Sequence, residues 1–249
     1  MENKKQKIVA TIEARLNSTR LPGKILLEIK GKPVLQIFIE RAQKSKLIDD
    51  IVVATTTNPK DIAIINLCKE IGVKYYMGSE DDVLDRVLKA AKSLNADIIV
   101  ELISDNPLID PEVIDNAIQY FLDNDYDYIS NFHPITFPSG IGIQVFPSKI
   151  LEEVSKLTND PFDRENVTWY IYHHKEKYNC GNYPAPKELK DPKLRLDLDY
   201  QEDYELIKKI YNNFSTFHFS LKDVLTLLKQ KPELRKINAN RYIGDEKYV

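Results

Sequence analysis

The sequence predicts an α/β fold: a mostly parallel sheet with helices on both sides. Three observations carry this. Short β-branched runs alternate with amphipathic stretches of about a dozen residues, the pattern of βαβ units. Uninterrupted apolar runs such as Ile51-Val52-Val53 and Ile98-Ile99-Val100 suit strands buried on both faces. Gly and Pro punctuate the runs where strands and helices should end.

The elements follow in order. Ile8 to Ala14 is the first strand, and Ile25 to Ile29 a short second one, ended by Gly31. Pro33 sits where a helix takes its first residue. Val34, Ile37, Phe38 and Arg41-Ala42 follow at helical spacing. Ile51 to Thr56 is a strand, 59–71 a helix closed by Gly72, and Val73 to Tyr76 a brief strand. Ser79 and Asp82 read as a capping box opening a helix to about Leu94. Asp97 to Ile103 is the next strand and Pro111 to Leu122 the next helix.

The second half is less regular. Tyr126 to Ser130, Ile143 to Phe146 and Leu194 to Leu198 read as strands, with a Pro/Gly-bearing loop at 132–142. Helices are predicted at 148–157, 163–174, 201–212 and 220–229. Tyr242 to Val249 reads as a tail packed on the surface or on a second subunit. No Ser/Gly-rich linker marks a boundary. The expectation is one domain over 1–249, with a β-containing insertion at about 130–190.

Composition narrows the function. The 249 residues are 43% hydrophobic and 29% charged, which argues against wholesale disorder. With 35 basic against 38 acidic residues, no global basic excess recruits nucleic acid. No apolar window is long enough to predict a membrane span. Cys68 and Cys180 form no paired motif, and the polar start Met1 to Lys7 has no secretory h-region. Reduced thiols in a cytoplasmic protein are expected. The four histidines lack metal-ligand spacing, so no zinc site is expected.

In such sheets ligands bind outside the carboxyl ends of the strands. The first strand is followed by Arg15-Leu-Asn-Ser-Thr-Arg-Leu-Pro-Gly-Lys24. Arg15, Arg20 and Lys24 offer positive charge, and Ser18, Thr19 and Gly23 let backbone N–H groups approach a ligand. A triphosphate needs this combination, although neither GxxxxGK[ST] nor GxGxxG is present. The alternative is a solvated basic loop. Asp105 and Asp199 follow two further strands, where Mg²⁺ could take one or two carboxylates beside phosphate oxygens. Aspartates there also serve as turn formers or caps. Asp197 shares a strand face with Asp199.

The runs IEARLNSTRLPGK and GKPVLQIFIERA resemble the start of the sugar cytidylyltransferases, the group that joins CMP to 3-deoxy-manno-octulosonate or acylneuraminate. The chain most resembles the spore-coat polysaccharide biosynthesis protein F branch. The resemblance continues through IDDIVVATTTNPKD, GSEDDVLDRVLKAAK, ISDNPLIDPEVID, TFPSGIGIQVF and LRLDLDYQEDYELI, and so covers most of residues 8–210. It implies the nucleotide-diphospho-sugar transferase fold, a Rossmann-like three-layer α/β/α sandwich. It implies Mg²⁺ on Asp105 and Asp199, and catalytic charge stabilisation by Arg15, Arg20 and Lys24. It implies nucleotide contacts from Ala14, Arg15, Ser18, Thr55, Thr56, Ser79, Asp82 and Arg86. Thr55 and Thr56 are also plain strand residues, and Arg86 sits one turn from Asp82 as an ion-pair partner. The acceptor is expected near Gln144, Arg164 and Asn166, and a homodimer contact within 130–190.

The chain departs from the family pattern at informative places. IQAR reads Ile12-Glu13-Ala14-Arg15, and TFPxGLDVEVF reads TFPSGIGIQVF, so two acids become Gly142 and Gln144. Losing those acids should lessen repulsion of an anionic acceptor. The leading expectation is a Mg²⁺-dependent nucleotidyltransferase moving CMP from CTP to a sugar acid or phosphorylated sugar or polyol, with release of pyrophosphate, for surface glycan synthesis. A GTP- or UTP-dependent sugar-1-phosphate enzyme, a glycosyltransferase using Asp197-Leu-Asp199 as a DxD motif, and a non-catalytic nucleotide-binding module are the competing readings.

Overall fold

The computed structural model describes residues 5–241, so the tail expected at Tyr242 to Val249 lies outside the described residues. The strands in chain order are β1 (Ile8–Glu13), β2 (Glu28–Ile29), β3 (Lys32–Pro33), β4 (Asp50–Thr56), β5 (Lys74–Gly78), β6 (Ile98–Ile103), β7 (Tyr128–Ser130), β8 (Gln144–Pro147) and β9 (Cys180–Asn182). Seven of them form one sheet in the order β5-β4-β1-β6-β8-β7-β9. Its pairings are parallel except at β8, which runs against both β6 and β7. The fold is therefore the mostly parallel α/β sheet that the alternation predicts, in the Rossmann-like sandwich that the resemblance implies.

The period-2 alternation sorts side chains into two layers. Ile8, Ala10, Ile12, Val53 and Val100 face a core closed by α1 (Val34–Ala42), α2 (Ile62–Glu70), α4 (Pro111–Leu122), α8 (Gln201–Asn212) and α9 (Leu221–Gln230). Val9, Val52, Ala54, Ile99 and Phe146 face the opposite core, closed by α3 (Val83–Ser93), α5 (Ser148–Leu157) and α7 (Trp169–His173).

Four expectations need correction. Ile25 to Ile29 is not one strand: a 3₁₀ turn at Lys24–Leu26 precedes the two-residue hairpin β2–β3. Gly23 starts that turn at φ 69° and holds the Leu26 N–H on its carbonyl at 2.9 Å, which bends the loop back toward the sheet. The predicted helix 163–174 is two short helices, α6 (Pro161–Glu165) and α7. Asn166, at φ −107° and ψ 55°, interrupts it, and Val167 turns into the core. The α3 helix starts after Asp82, whose carboxylate accepts from the Asp85 N–H at 3.0 Å; Ser79 Oγ accepts from the Asp82 N–H instead.

Finally, Leu194 to Leu198 joins no sheet. Its neighbours are loops: Ser139 N–H donates to the Leu194 carbonyl at 3.0 Å, and Leu196 N–H to the Ser139 carbonyl at 2.9 Å. Gly140 makes this approach possible. A Cβ there would lie 2.4 Å from the Leu196 carbonyl carbon. The Leu198 N–H then donates to the Asp105 carbonyl at 2.8 Å, which delivers Asp199 to the end of β6. The strand β9, in Asn-Cys-Gly-Asn, has no β-branched residue to announce it.

Candidate active site

A cleft opens at the carboxyl ends of β1 and β6, where parallel strand ends leave room for a ligand. Three lobes meet at the half-exposed Ile103. The first is the loop after β1, with Arg15, Ser18, Arg20, Lys24 and Arg86 around Ser104 and Asp105. The second lies between Asp105, Asp197, Asp199, Arg195 and the 137–142 loop. The third is walled by Phe132, His133, Phe162, Trp169 and Tyr172 over Glu13 and Glu101.

Lys24 ties the first two lobes together. Its ammonium donates to Asp105 Oδ2 at 3.0 Å and to Asp199 Oδ1 at 2.8 Å. Arg20 reaches the same Asp199 oxygen at 2.7 Å. Burial opposes the Lys24 charge, but the two carboxylates outweigh it and raise its pKa above the ordinary lysine value. Burial likewise works against the Asp199 carboxylate. Lys24, Arg20 and Arg195 overcome it and hold Asp199 below the usual range.

Sequence reasoning missed the base beneath these groups. Arg195 Nη2 lies 3.0 Å from Asp199 Oδ2, Nε 3.0 Å from Asp203 Oδ1, and Nη1 3.5 Å from Asp197 Oδ2. Asp203 is fully buried and also accepts from the Asp199 and Tyr200 N–H groups and from Asn238 Nδ2. The signal was present in the Arg-Leu-Asp-Leu-Asp spacing, since Arg195, Asp197 and Asp199 share a face. Asp197 accepts a hydrogen bond from Ser139 Oγ. Burial and the Asp105 charge push its pKa up to about 6.

The predicted residues are placed as follows. Ala14, Arg15, Ser18, Arg20, Lys24 and Arg86 line the first lobe, and Asp105 and Asp199 converge across it from Lys24. The Ala14 N–H is spent on the Ala54 carbonyl at 3.3 Å, and Arg15 comes within 3.9 Å of Glu165. Arg86 does not pair with the Asp82 side chain. Its guanidinium is buried and donates to the Ser79 and Glu80 carbonyls.

Five predicted contacts face elsewhere. Thr55 and Thr56 are buried within β4 and line none of the three lobes. The Thr56 hydroxyl donates to Asp61 at 2.5 Å, and Asp61 also accepts from the Leu16 N–H at 2.8 Å, which anchors the loop after β1. Ser79 is occupied as a turn acceptor. Asp82 and Arg164 neutralise each other through a two-pronged pair at 2.9 and 2.5 Å, which staples α6 to the start of α3.

Asn166 lines the cleft at the junction of the first and third lobes. Gln144 is buried in the wall of the third. Its Oε1 accepts from Tyr128 at 2.6 Å and Thr168 at 2.5 Å, and its Nε2 donates to Glu101 at 3.1 Å. The expected relief of negative charge is also absent. Glu13, Glu101 and Glu165 line the third lobe with Gln144, and Asp105, Asp197 and Asp199 line the second with Gly142, so acidity removed at those two positions is met by acidity nearby.

The arrangement joins a cationic loop for phosphate oxygens to convergent carboxylates and a ringed cavity for a third group. A family profile described as cytidylyltransferase matches residues 9–231. The chain belongs to the cytidylyltransferase family. It is 37% identical to the protein MJ1063 of Methanocaldococcus jannaschii over 94% of this chain and 95% of that one. It is 34% identical to the spore coat polysaccharide biosynthesis protein SpsF of Bacillus subtilis, over 91% and 95%. The 3-deoxy-manno-octulosonate cytidylyltransferase of Chloroherpeton thalassium is 38% identical over 47% of each chain. A solved cytidylyltransferase from Leptospira borgpetersenii superposes with a TM-score of 0.88 at 35% identity, covering 92% of this chain and 97% of that one. The cytidylyltransferase reading makes the chain a nucleotidyltransferase enzyme. Among the described residues no helix is long and apolar enough to cross a membrane.

Proposed function

We propose that this cytidylyltransferase moves CMP from CTP to a sugar acid or a phosphorylated sugar or polyol, releases pyrophosphate, and serves surface glycan synthesis. The observation that carries the reading is the Lys24 ammonium held between Asp105 and Asp199. Two carboxylates from separate chain segments converge on one position of positive charge. That donor set fits Mg²⁺, which takes one or two carboxylates and completes its shell with phosphate oxygens and water. Asp105 and Asp199 would hold the ion. When bound, it supplies charge neutralisation at the phosphates.

The chain's own residues do the rest. Arg15, Arg20, Lys24 and Arg86 surround the space for the triphosphate, and their charge faces the oxygens that gain charge as pyrophosphate departs. The acceptor enters from the second and third lobes, so its oxygen meets the α-phosphorus beside Ile103, where the three lobes join, two residues from Asp105. Asp197, the other half of the DxD pair, is held by Ser139 and Arg195, which argues against a DxD glycosyltransferase. The reading includes a cytoplasmic homodimer with its contact in 130–190, to be checked by solution mass.

The test is thermal unfolding with ATP, CTP, GTP or UTP, each with and without Mg²⁺. A ligand at a hundred times its Kd adds about 2.7 kcal/mol to a protein that binds it only when folded. Selective, Mg²⁺-enhanced stabilisation by CTP is expected. Selectivity for GTP or UTP would move the donor, and a response to nucleotide sugars alone would overturn nucleotidyl transfer.

A further inference from the structure

The loop that carries Arg15, Arg20 and Lys24 closes on one residue, Leu16. Its carbonyl accepts from the Ser18 N–H at 2.9 Å and from the Gly23 N–H at 3.2 Å, which joins the start of the loop to its end. Its N–H donates to Asp61 Oδ1 at 2.8 Å, across 45 positions of sequence. Whatever fixes Leu16 therefore fixes the cations on either side of it.

Asp61 is built to do so. It is 2% exposed, and its second oxygen accepts from the Thr56 hydroxyl at 2.5 Å. Its own N–H donates to the Asn58 carbonyl at 2.9 Å, and the Asn58 N–H donates to Thr56 Oγ1 at 3.0 Å. The end of β4 thus orients the carboxylate before it meets the loop. Among the described residues no Lys or Arg forms an ion pair with Asp61; Arg86 acts on it only from further away. A carboxylate kept in such a place costs free energy. In return it grips an N–H about twice as strongly as a neutral acceptor would.

A second brace stands further out. Glu80 follows β5 and is partly buried. It accepts from Asn17 Nδ2 at 3.0 Å and from Asn58 Nδ2 at 2.9 Å. Arg86 steadies the Glu80 main chain by donating to its carbonyl at 3.2 Å. The consecutive residues Leu16 and Asn17 are held from two neighbouring strand ends, between Arg15 and Arg20.

We propose that Asp61, with Glu80 as an outer brace, is the positioning residue of this loop. It sets where Arg15 and Arg20 stand before a triphosphate arrives, and it acts through Leu16 without touching substrate. The identity of the ligand rests on the cytidylyl-transfer reading; the clamp itself does not.

Two measurements test it, both well below the unfolding temperature. Amide hydrogen exchange is read residue by residue, with the Ile98–Ile103 strand as the control for global stability. Dissociation constants are measured for CTP with Mg²⁺ and for inorganic tripolyphosphate, a probe without a base. In Asp61→Ala the Leu16, Ser18 and Gly23 amides should exchange at least about tenfold faster while the control strand keeps its protection. Both dissociation constants should rise about tenfold, and kcat/KM should fall by about ten- to a hundredfold, as misplaced charge requires. Asp61→Asn keeps an acceptor for the Leu16 N–H and can donate to Thr56, so it should stay within about threefold of the wild type in each readout. Glu80→Ala should move the same readouts in the direction of Asp61→Ala by about threefold.

Loop exchange and both dissociation constants at wild-type values in Asp61→Ala would overturn the assignment, even if the unfolding temperature fell. If Asp61→Ala does not fold, Thr56→Val and Glu80→Ala decide: unchanged loop exchange in both would overturn it. A wild-type protein that binds tripolyphosphate but not CTP would overturn the choice of donor and leave the clamp standing.

Discussion

The first and third lobes of the cleft share a wall at Ile103 but are built in opposite ways. In the first, charges satisfy one another: Lys24, Arg20, Asp105, Asp199 and Arg195 form one connected network. In the third, Glu13 and Glu101 lie among aromatic rings, and the cations near them stand at its edges: Arg86 by Glu13 and Lys175 over the Tyr172 ring. On the proposed reading, the first lobe would release its cations to a polyanion once a metal served its carboxylates. The third offers mainly flat ring surfaces, which suit shape discrimination more than charge neutralisation. On that reading, chemistry and acceptor selection would divide at Ile103.

The comparison breaks most readily at Arg195. Arg195→Met removes the partner of three carboxylates and should cost about 3–5 kcal/mol of stability, read by denaturant unfolding. A loss under about 1 kcal/mol would mean the network is not the base of the site. Lys24→Met should lower kcat/KM by about 10²–10³-fold, the usual effect of removing one transition-state donor, measured as pyrophosphate release. Trp169→Ala tests the other side. It should raise the acceptor KM about tenfold and leave CTP-dependent stabilisation intact, as expected for a ring that grips only the acceptor. If CTP stabilisation also collapsed, the two lobes would not be separate.

The smallest effect concerns pH. The unfolded chain protonates His133 near its ordinary value of about 6.5, whereas the folded one waits until about 4. Between those values the unfolded state binds more protons, so stability falls as pH drops through that window. His133→Phe should remove about 1–2 kcal/mol of that acid sensitivity, a figure discounted for the partial exposure of the ring. Paired pH–stability curves measure it.

The sheet, its parallel core and the loop from Arg15 to Lys24 were legible in the sequence. There, local pattern and tertiary role coincide: β-branched runs became buried strands, and cations after β1 lined the cleft. Legibility failed where distant segments decide. Leu194 to Leu198 alternates like a strand, yet Gly140 and Ser139 claim its backbone. Thr56, Asp82 and Arg164 carry polar groups suited to ligands. Their partners Asp61 and one another lie five to 82 positions away, and only the fold brings them within reach. Glu13 stood out only as a departure from IQAR, and Glu101 sits in an apolar run without a motif. Their place on one face of neighbouring strands follows from a register that the sequence does not state.

The hydrogen bond from Lys24 to Asp199 spans 175 positions. It has a consequence for the order of events during synthesis. A nascent chain can pair β1, β4 and β6 long before Asp199 emerges, because those strands lie within its first 103 residues. The cationic loop then waits without its closing carboxylate until Leu198 reaches the Asp105 carbonyl. Such distant closure is slow relative to local pairing. A chain interrupted before residue 195 would lack Arg195, Asp197 and Asp199 together. Competence is thus acquired late and all at once, as a property of the nearly finished polypeptide.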